Sequence, residues 1–270
     1  MIALLLACMA ILSPPPPALP SAREVEAQAL TEAIAQLNPA QPDDPAWRDE
    51  ALAIRQRARL FSESYPEDSR GIEASAMLSV SLADDAGVDA DLRRVLETSP
   101  EKTSAGLIWS DYWLERDPTR AIDILEMLID ERPEALIYIN RLMKILIAEA
   151  PPRILTRFER YHAPDANLEQ AAIELDLLSR LSPPIGVEIG NDLLARHPDH
   201  TGIAVGTARG YRTGNRFADA RLLLDNLPEN SLTDPGDVYL WSDTYYADHH
   251  FDRAWELLSS IDMEALAEAQ

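Results

Sequence analysis

Residues 210–224 read GYRTGNRFADARLLL, and residues 245–258 read YYADHHFDRAWELL. Tyr211, Phe217, Ala220 and Leu224 of the first stretch return as Tyr245, Phe251, Ala254 and Leu258 of the second, each 34 residues later. Followed back along the chain, the small or apolar position held by Ala220 recurs at Gly186, Ile154, Ala121, Val88 and Ile54. From Ile54 to Ala254 the successive steps are 34, 33, 33, 32, 34 and 34 residues. A period of this length describes a helical hairpin that cannot bury its apolar face alone and leans on the next copy.

Each period reads as helix A, a short turn, helix B and a proline. Pro66, Pro100, Pro133 and Pro198 punctuate the copies, and Pro66, Pro100 and Pro133 are each followed by Glu, Pro198 by Asp. Proline suits the first turn of a helix because it has no N–H to lose, and an acid there faces the positive end of the dipole. These prolines are therefore expected to stop helix B and open the following helix A. No sustained period-two alternation bounded by hairpin turns occurs, which argues against strands. Residues 135–147 are apolar enough to be ambiguous, but their length and place favour a helix buried on most faces.

The turn segments at 112–121, 210–220 and 245–254 resemble the tetratricopeptide-repeat family, and the likeness extends over about residues 45 to 265. It implies an all-α, right-handed superhelical solenoid of antiparallel helix pairs. In such a hairpin the small residue opening helix B would be Ala121, Ala220 or Ala254. Tyr112, Tyr211 and Tyr245 would fill the space beside it, and Pro66, Pro100, Pro133 and Pro198 would end the units. The fourth copy departs with Pro151, Pro152, Ile154 and Phe158, the fifth with Pro183, Pro184, Gly186 and Gly190. Degenerate repeats with altered curvature, or a more general helical-hairpin array, would both account for this.

The chain divides into an apolar export segment (residues 1–22), an N-terminal capping helix with a proline-rich linker (23–45) and the repeat array (46–270). The first 22 residues carry no charged side chain, and residues 2–12 form an apolar run too short to span a bilayer. The run fits the apolar region of a secretory signal, without the usual positive residue before it. Export to the periplasm, envelope or secreted space follows as an expectation. Cys8, the single cysteine, sits inside the run, so membrane association is expected only if Cys8 is lipidated.

Acidic residues number 46 against 24 basic ones, giving a formal net charge of -22. Binding nucleic acid or an anionic membrane needs clustered Lys and Arg, so both are poor partners, whereas a basic protein or peptide fits. No phosphate-binding glycine loop, dinucleotide fingerprint or nucleophile elbow is present. Neither His197 with His200 nor His249 with His250 has the spacing of a helical two-histidine metal site. Asp111 and Glu115 lie four apart among Trp109, Tyr112 and Trp113, but carboxylates side by side on one helix do not flank a glycosidic bond. No catalytic residue and no cofactor is therefore expected.

What the resemblance does imply is a concave groove lined by the A helices. Repeat register places Arg70, Glu73, Met77, Ser110, Trp113, Leu136, Ile139, Met143, Arg209, Arg212, Tyr239, Asp243 and Tyr246 there. Arg209 and Arg212 would clamp a carboxylate or pair with the chain's own acids. The expected function is a non-catalytic protein- or peptide-binding scaffold. The alternatives are an accessory module for an enzyme, and a small-ligand or glycan binder using Trp109 and Trp113.

Overall fold

The computed structural model describes residues 21–37, 44–227 and 235–260. The expected signal segment, Cys8, most of the linker prolines and residues 261–270 lie outside the described residues. Fourteen helices are present among the described residues, in chain order α1 (Ala22–Gln36), α2 (Pro45–Ser64), α3 (Ser69–Ser81), α4 (Asp85–Thr98), α5 (Thr103–Leu114), α6 (Pro118–Glu131) and α7 (Leu136–Glu149). They continue with α8 (Pro151–Glu159), α9 (Leu168–Leu181), α10 (Pro183–Arg196), α11 (Thr201–Thr213), α12 (Phe217–Asp225), α13 (Pro235–Ala247) and α14 (Phe251–Ser259). A single turn of 3-10 helix, Arg160–His162, follows α8, and no strand occurs among the described residues.

The fold is all-α, a series of helix pairs whose odd-numbered members are the A helices. The chain forms two units, residues 1–105 and 106–270. In the first, α1 packs on α2 and α3, α2 on α3, and α3 on α4. In the second, α7 packs on α8 and α9, α9 on α10 and α11, and α11 on α12 and α13. Contacts therefore run to the chain neighbour and to the next A helix, the pattern of stacked hairpins. Every position of the ladder that set the period, from Ile54 to Ala254, is buried. At Gly186 a Cβ would stand 2.5 Å from Ser179 Oγ, and at Gly190 2.2 Å from Thr207 Oγ1. Glycine there lets α10 lie hard against α9 and α11.

The prolines divide into two groups, and this corrects the expectation. Pro66, Pro100, Pro133 and Pro198 sit in the turns between helices, each three residues before helix A begins. The prolines that do open helices are Pro45, Pro118, Pro151, Pro183 and Pro235. Capping falls to other side chains. Asp68 accepts from the Arg70 N–H, Asp84 from Gly87, Asp117 from Arg120 and Asn167 from Gln170, satisfying N–H groups that have no partner inside the helix. A turn proline still ends helix B, because the residue preceding it avoids helical backbone. The tight turns from A to B use a left-handed residue at Ala83, Asn215 and His249, the last two 34 residues apart.

Polar side chains are buried in each unit. In the first, Asp91 accepts from Ser75 at 2.6 Å, Ser79 at 2.7 Å and Arg59 at 3.1 Å. In the second, Glu174 accepts from Arg157 at 2.6 and 2.8 Å, Arg160 at 2.8 Å and Gln170 at 3.2 Å. Both acids are held by several donors, as buried charge requires.

Candidate functional site

Counting from the first residue of each A helix shows which side chains face out. From α3 onward the eighth residue of each helix is Ala76, Ser110, Met143, Leu175, Ala208 or Ser242, and all six are buried. The ninth is Met77, Asp111, Lys144, Asp176, Arg209 or Asp243, and every one is exposed or half-buried. The groove expectation follows this outer line on α3, α11 and α13 but slips by one residue on α5 and α7. Ser110, Trp113, Ile139 and Met143 are core, not lining, because one residue turns a helix face by about 100°. The side chains that look outward there are Asp111, Ile137 and Lys144, and Leu136 is exposed at the first turn of α7.

On α3, Arg70 donates to Asp68 at 2.6 Å and to Glu24 of α1 at 3.1 Å. Those hydrogen bonds hold the Glu24 and Asp68 carboxyls below the usual carboxylate range and push the Arg70 guanidinium higher still. Glu73 is taken by Lys102, and Met77 is exposed. These three share a face, but its charges tie the first unit to itself.

In the second unit four of the expected residues converge, while Tyr246 lies outside the cleft they line. Arg209 and Arg212 from α11 and Tyr239 and Asp243 from α13 line one open cleft of about 290 Å³, together with Arg180 from α9, Thr213, Gly236 and Leu240. Arg209 bonds Asp176 and lies 3.5 Å from Asp237, while Arg212 bonds Asp243. Arg180 meets Asp176 at 2.8 Å from the same helix and keeps 54% of its side chain in water. Three guanidiniums and three carboxylates thus occupy the cleft and its edge, with a half-exposed tyrosine ring beside them. Each guanidinium carries five N–H donors in a fixed fork, far more than these contacts use. The arrangement can exchange its internal acids for those of a guest, or offer Asp176 and Asp243 to a guest's cation.

Arg180 was not among the expected residues. Its signal was a basic residue at the end of a helix A, one turn beyond the Asp176 position of the outer line.

The other candidates are engaged or covered. Trp109 and Trp113 are 5% and 6% exposed, and Arg120 lies over the Trp113 ring at 3.8 Å, so neither offers a free face to a sugar. Asp111 is bonded by Arg141, and Glu115 lies just past the end of α5. The turn histidines are not simply solvated. His200 Nδ1 accepts from the Ile203 N–H as the cap of α11, His162 Nε2 lies 2.7 Å from Asp192, and His197 Nε2 lies 3.2 Å from the Tyr161 carbonyl. Among the described residues no group of three His, Cys, Asp or Glu side chains is placed to hold a metal ion.

No family model matches the sequence, and no curated protein matches it either. Solved structures that match include PilF of Pseudomonas aeruginosa, at 12% identity over 88% of this chain and 90% of that one. The TM-score of 0.33 is too low for that likeness to carry an argument.

Proposed function

We propose that the chain is a non-catalytic scaffold that holds a segment of another protein across the outer faces of α9, α11 and α13. The observation that carries this reading is the convergence of Arg180, Arg209, Arg212, Tyr239 and Asp243 on one open cleft. Side chains of both charges beside an aromatic ring suit the backbone and mixed side chains of an extended peptide. The likeness of the turn segments to tetratricopeptide repeats supports the same reading. A net charge of -22 speeds the approach of a basic partner, while the cleft itself is close to neutral. Serving as an accessory to an enzyme would use the same surface, with the enzyme as its guest. Export is part of the proposal and rests on the apolar run at residues 2–12.

Selection of displayed peptides on the full chain provides the test. Peptides that bind should lose roughly tenfold or more in affinity with Arg180→Glu or Tyr239→Ala. Equal binding by both variants would remove the cleft from the proposal. A reporter enzyme active only outside the cytoplasm, fused after residue 270, tests export: an inactive fusion defeats it.

A further inference from the structure

Three side chains of the hairpin formed by α11 and α12 reach the hairpin that follows. Val205 packs in one cluster with Leu240, Arg212 bonds Asp243, and Arg221 bonds Asp248 at 2.7 Å. Thirty-four residues later the same three places are held by Tyr239, Tyr246 and Trp255. One valine and two cations have become three aromatic rings. They are 48%, 63% and 70% exposed, and Phe251, also exposed, meets Tyr246 edge-on at 5.3 Å. The outer surface of a solenoid repeat stays soluble by being polar, so aromatic residues at its coupling positions indicate a surface made to be covered. Tyrosine and tryptophan are also the residues in which binding energy concentrates.

The chemistry of the occupant can be read from the same hairpin. The coupling positions of α11 and α12 receive helix α13, so the shape that fits their counterparts is a helix. Asp252 and Glu256 stand one turn apart on α14, each next in sequence to Phe251 or Trp255, and both are exposed. Asp237, Asp243 and Asp248 face arginines of α11 and α12, so the acids of this hairpin turned to the rings are Asp252 and Glu256, the latter shared with Arg253 at 2.6 Å. A lysine or arginine at the edge of an incoming helix would meet Asp252, Glu256 and the faces of the rings together. A second copy would bring another -22 of charge, and residues 261–270 hold three acids and no base, so neither complements this rim.

We propose that the exposed face of α13 and α14 receives an amphipathic helix of another protein, its apolar stripe bordered by lysine or arginine. This surface shares Tyr239 with the cleft described above but does not depend on it.

The experiment uses the full chain and a synthetic amphipathic helix of leucine and lysine. Binding is followed by the fluorescence anisotropy of a dye attached to the helix, a signal that Trp255→Ala leaves in place. Saturable binding is expected, weakened roughly tenfold or more by Trp255→Ala and by the paired change Asp252→Lys, Glu256→Lys. Leu222→Ala, at an exposed residue of α12, should leave it unchanged. A leucine–glutamate helix should not bind. Full affinity for Trp255→Ala overturns the proposal, because binding would then be charge attraction alone. So does a Trp255 that acrylamide reaches only after residues 261–270 are removed, which would make the chain's own end the cover. A dimer in sedimentation that Trp255→Ala dissolves would assign the face to a second copy and overturn it equally.

Discussion

Two joints of the second unit use the same arginine–carboxylate chemistry and differ in how much water reaches it. Where α8 and its 3-10 turn meet α9, the side chains of Glu174 and Arg157 are 0% and 2% exposed. Where α9, α11 and α13 meet, Arg209, Arg212, Asp176 and Asp243 remain partly in water. Removing one partner from a buried pair strands an uncompensated charge, whereas a wet pair can trade its partner for solvent or a guest. The same residue types therefore lock one joint and leave the other open to exchange. Burial alone separates the structural pair from the candidate binding site.

The comparison breaks first at Glu174. Glu174→Ala leaves Arg157 and Arg160 without their shared acceptor and should cost about 3–5 kcal/mol in urea unfolding. A loss near zero would mean that the buried cluster locks nothing. Gly186→Ala probes the close packing beside that joint. Its methyl would stand 2.7 Å from the Ser179 Cα, so backbone has to move, at about 1–3 kcal/mol by the same measurement.

Arg212→Ala, in the wet joint, should change stability by no more than about 1 kcal/mol. If its cost matched that of Glu174→Ala, the contrast between the joints would collapse. The smallest effect concerns pH in the first unit. Arg55 bonds Asp84 at 2.6 Å and, with the Gly87 N–H, holds its carboxyl below the ordinary carboxylate range. A lowered native value means that this stabilisation is present at neutral pH and is lost as pH falls below about 4, where the unfolded carboxyl protonates. Asp84→Asn keeps a good cap and removes the charge. Its penalty in urea midpoint should be measurable at neutral pH and shrink at about pH 3; a penalty unchanged by acid would show that the charge is idle.

The outer line was legible on α11 and α13 and not on α5 or α7, for a physical reason. On α11 and α13 the charged side chains of Arg209, Arg212 and Asp243 themselves mark the wet line. Helix α7 reads LIYINRLMKILIAE, where Lys144 marks the wet line, but repeat register counted through the shorter and degenerate copies falls one residue early, on Met143. Glu174 escaped notice because its partner Arg157 is 17 residues away, across a turn. A signal was available in the column it occupies. At the same place in α3, α5, α7 and α11 stand Ser75, Trp109, Leu142 and Thr207, all buried, and in α13 half-buried Trp241, so a carboxylate there called for a buried counter-charge.

By itself the sequence determined that helices pair and stack, because a ladder of small and apolar residues at a near-constant interval can be buried only that way. It also determined where the prolines interrupt them. Only the tertiary structure decided which arginine meets which acid, which of these pairs stay wet, and that Arg180 completes the cleft. Pairing across hairpins depends on the rotation and approach of neighbouring helices, and these are set by packing at Gly186, Gly190 and their partners rather than by any spacing along the chain.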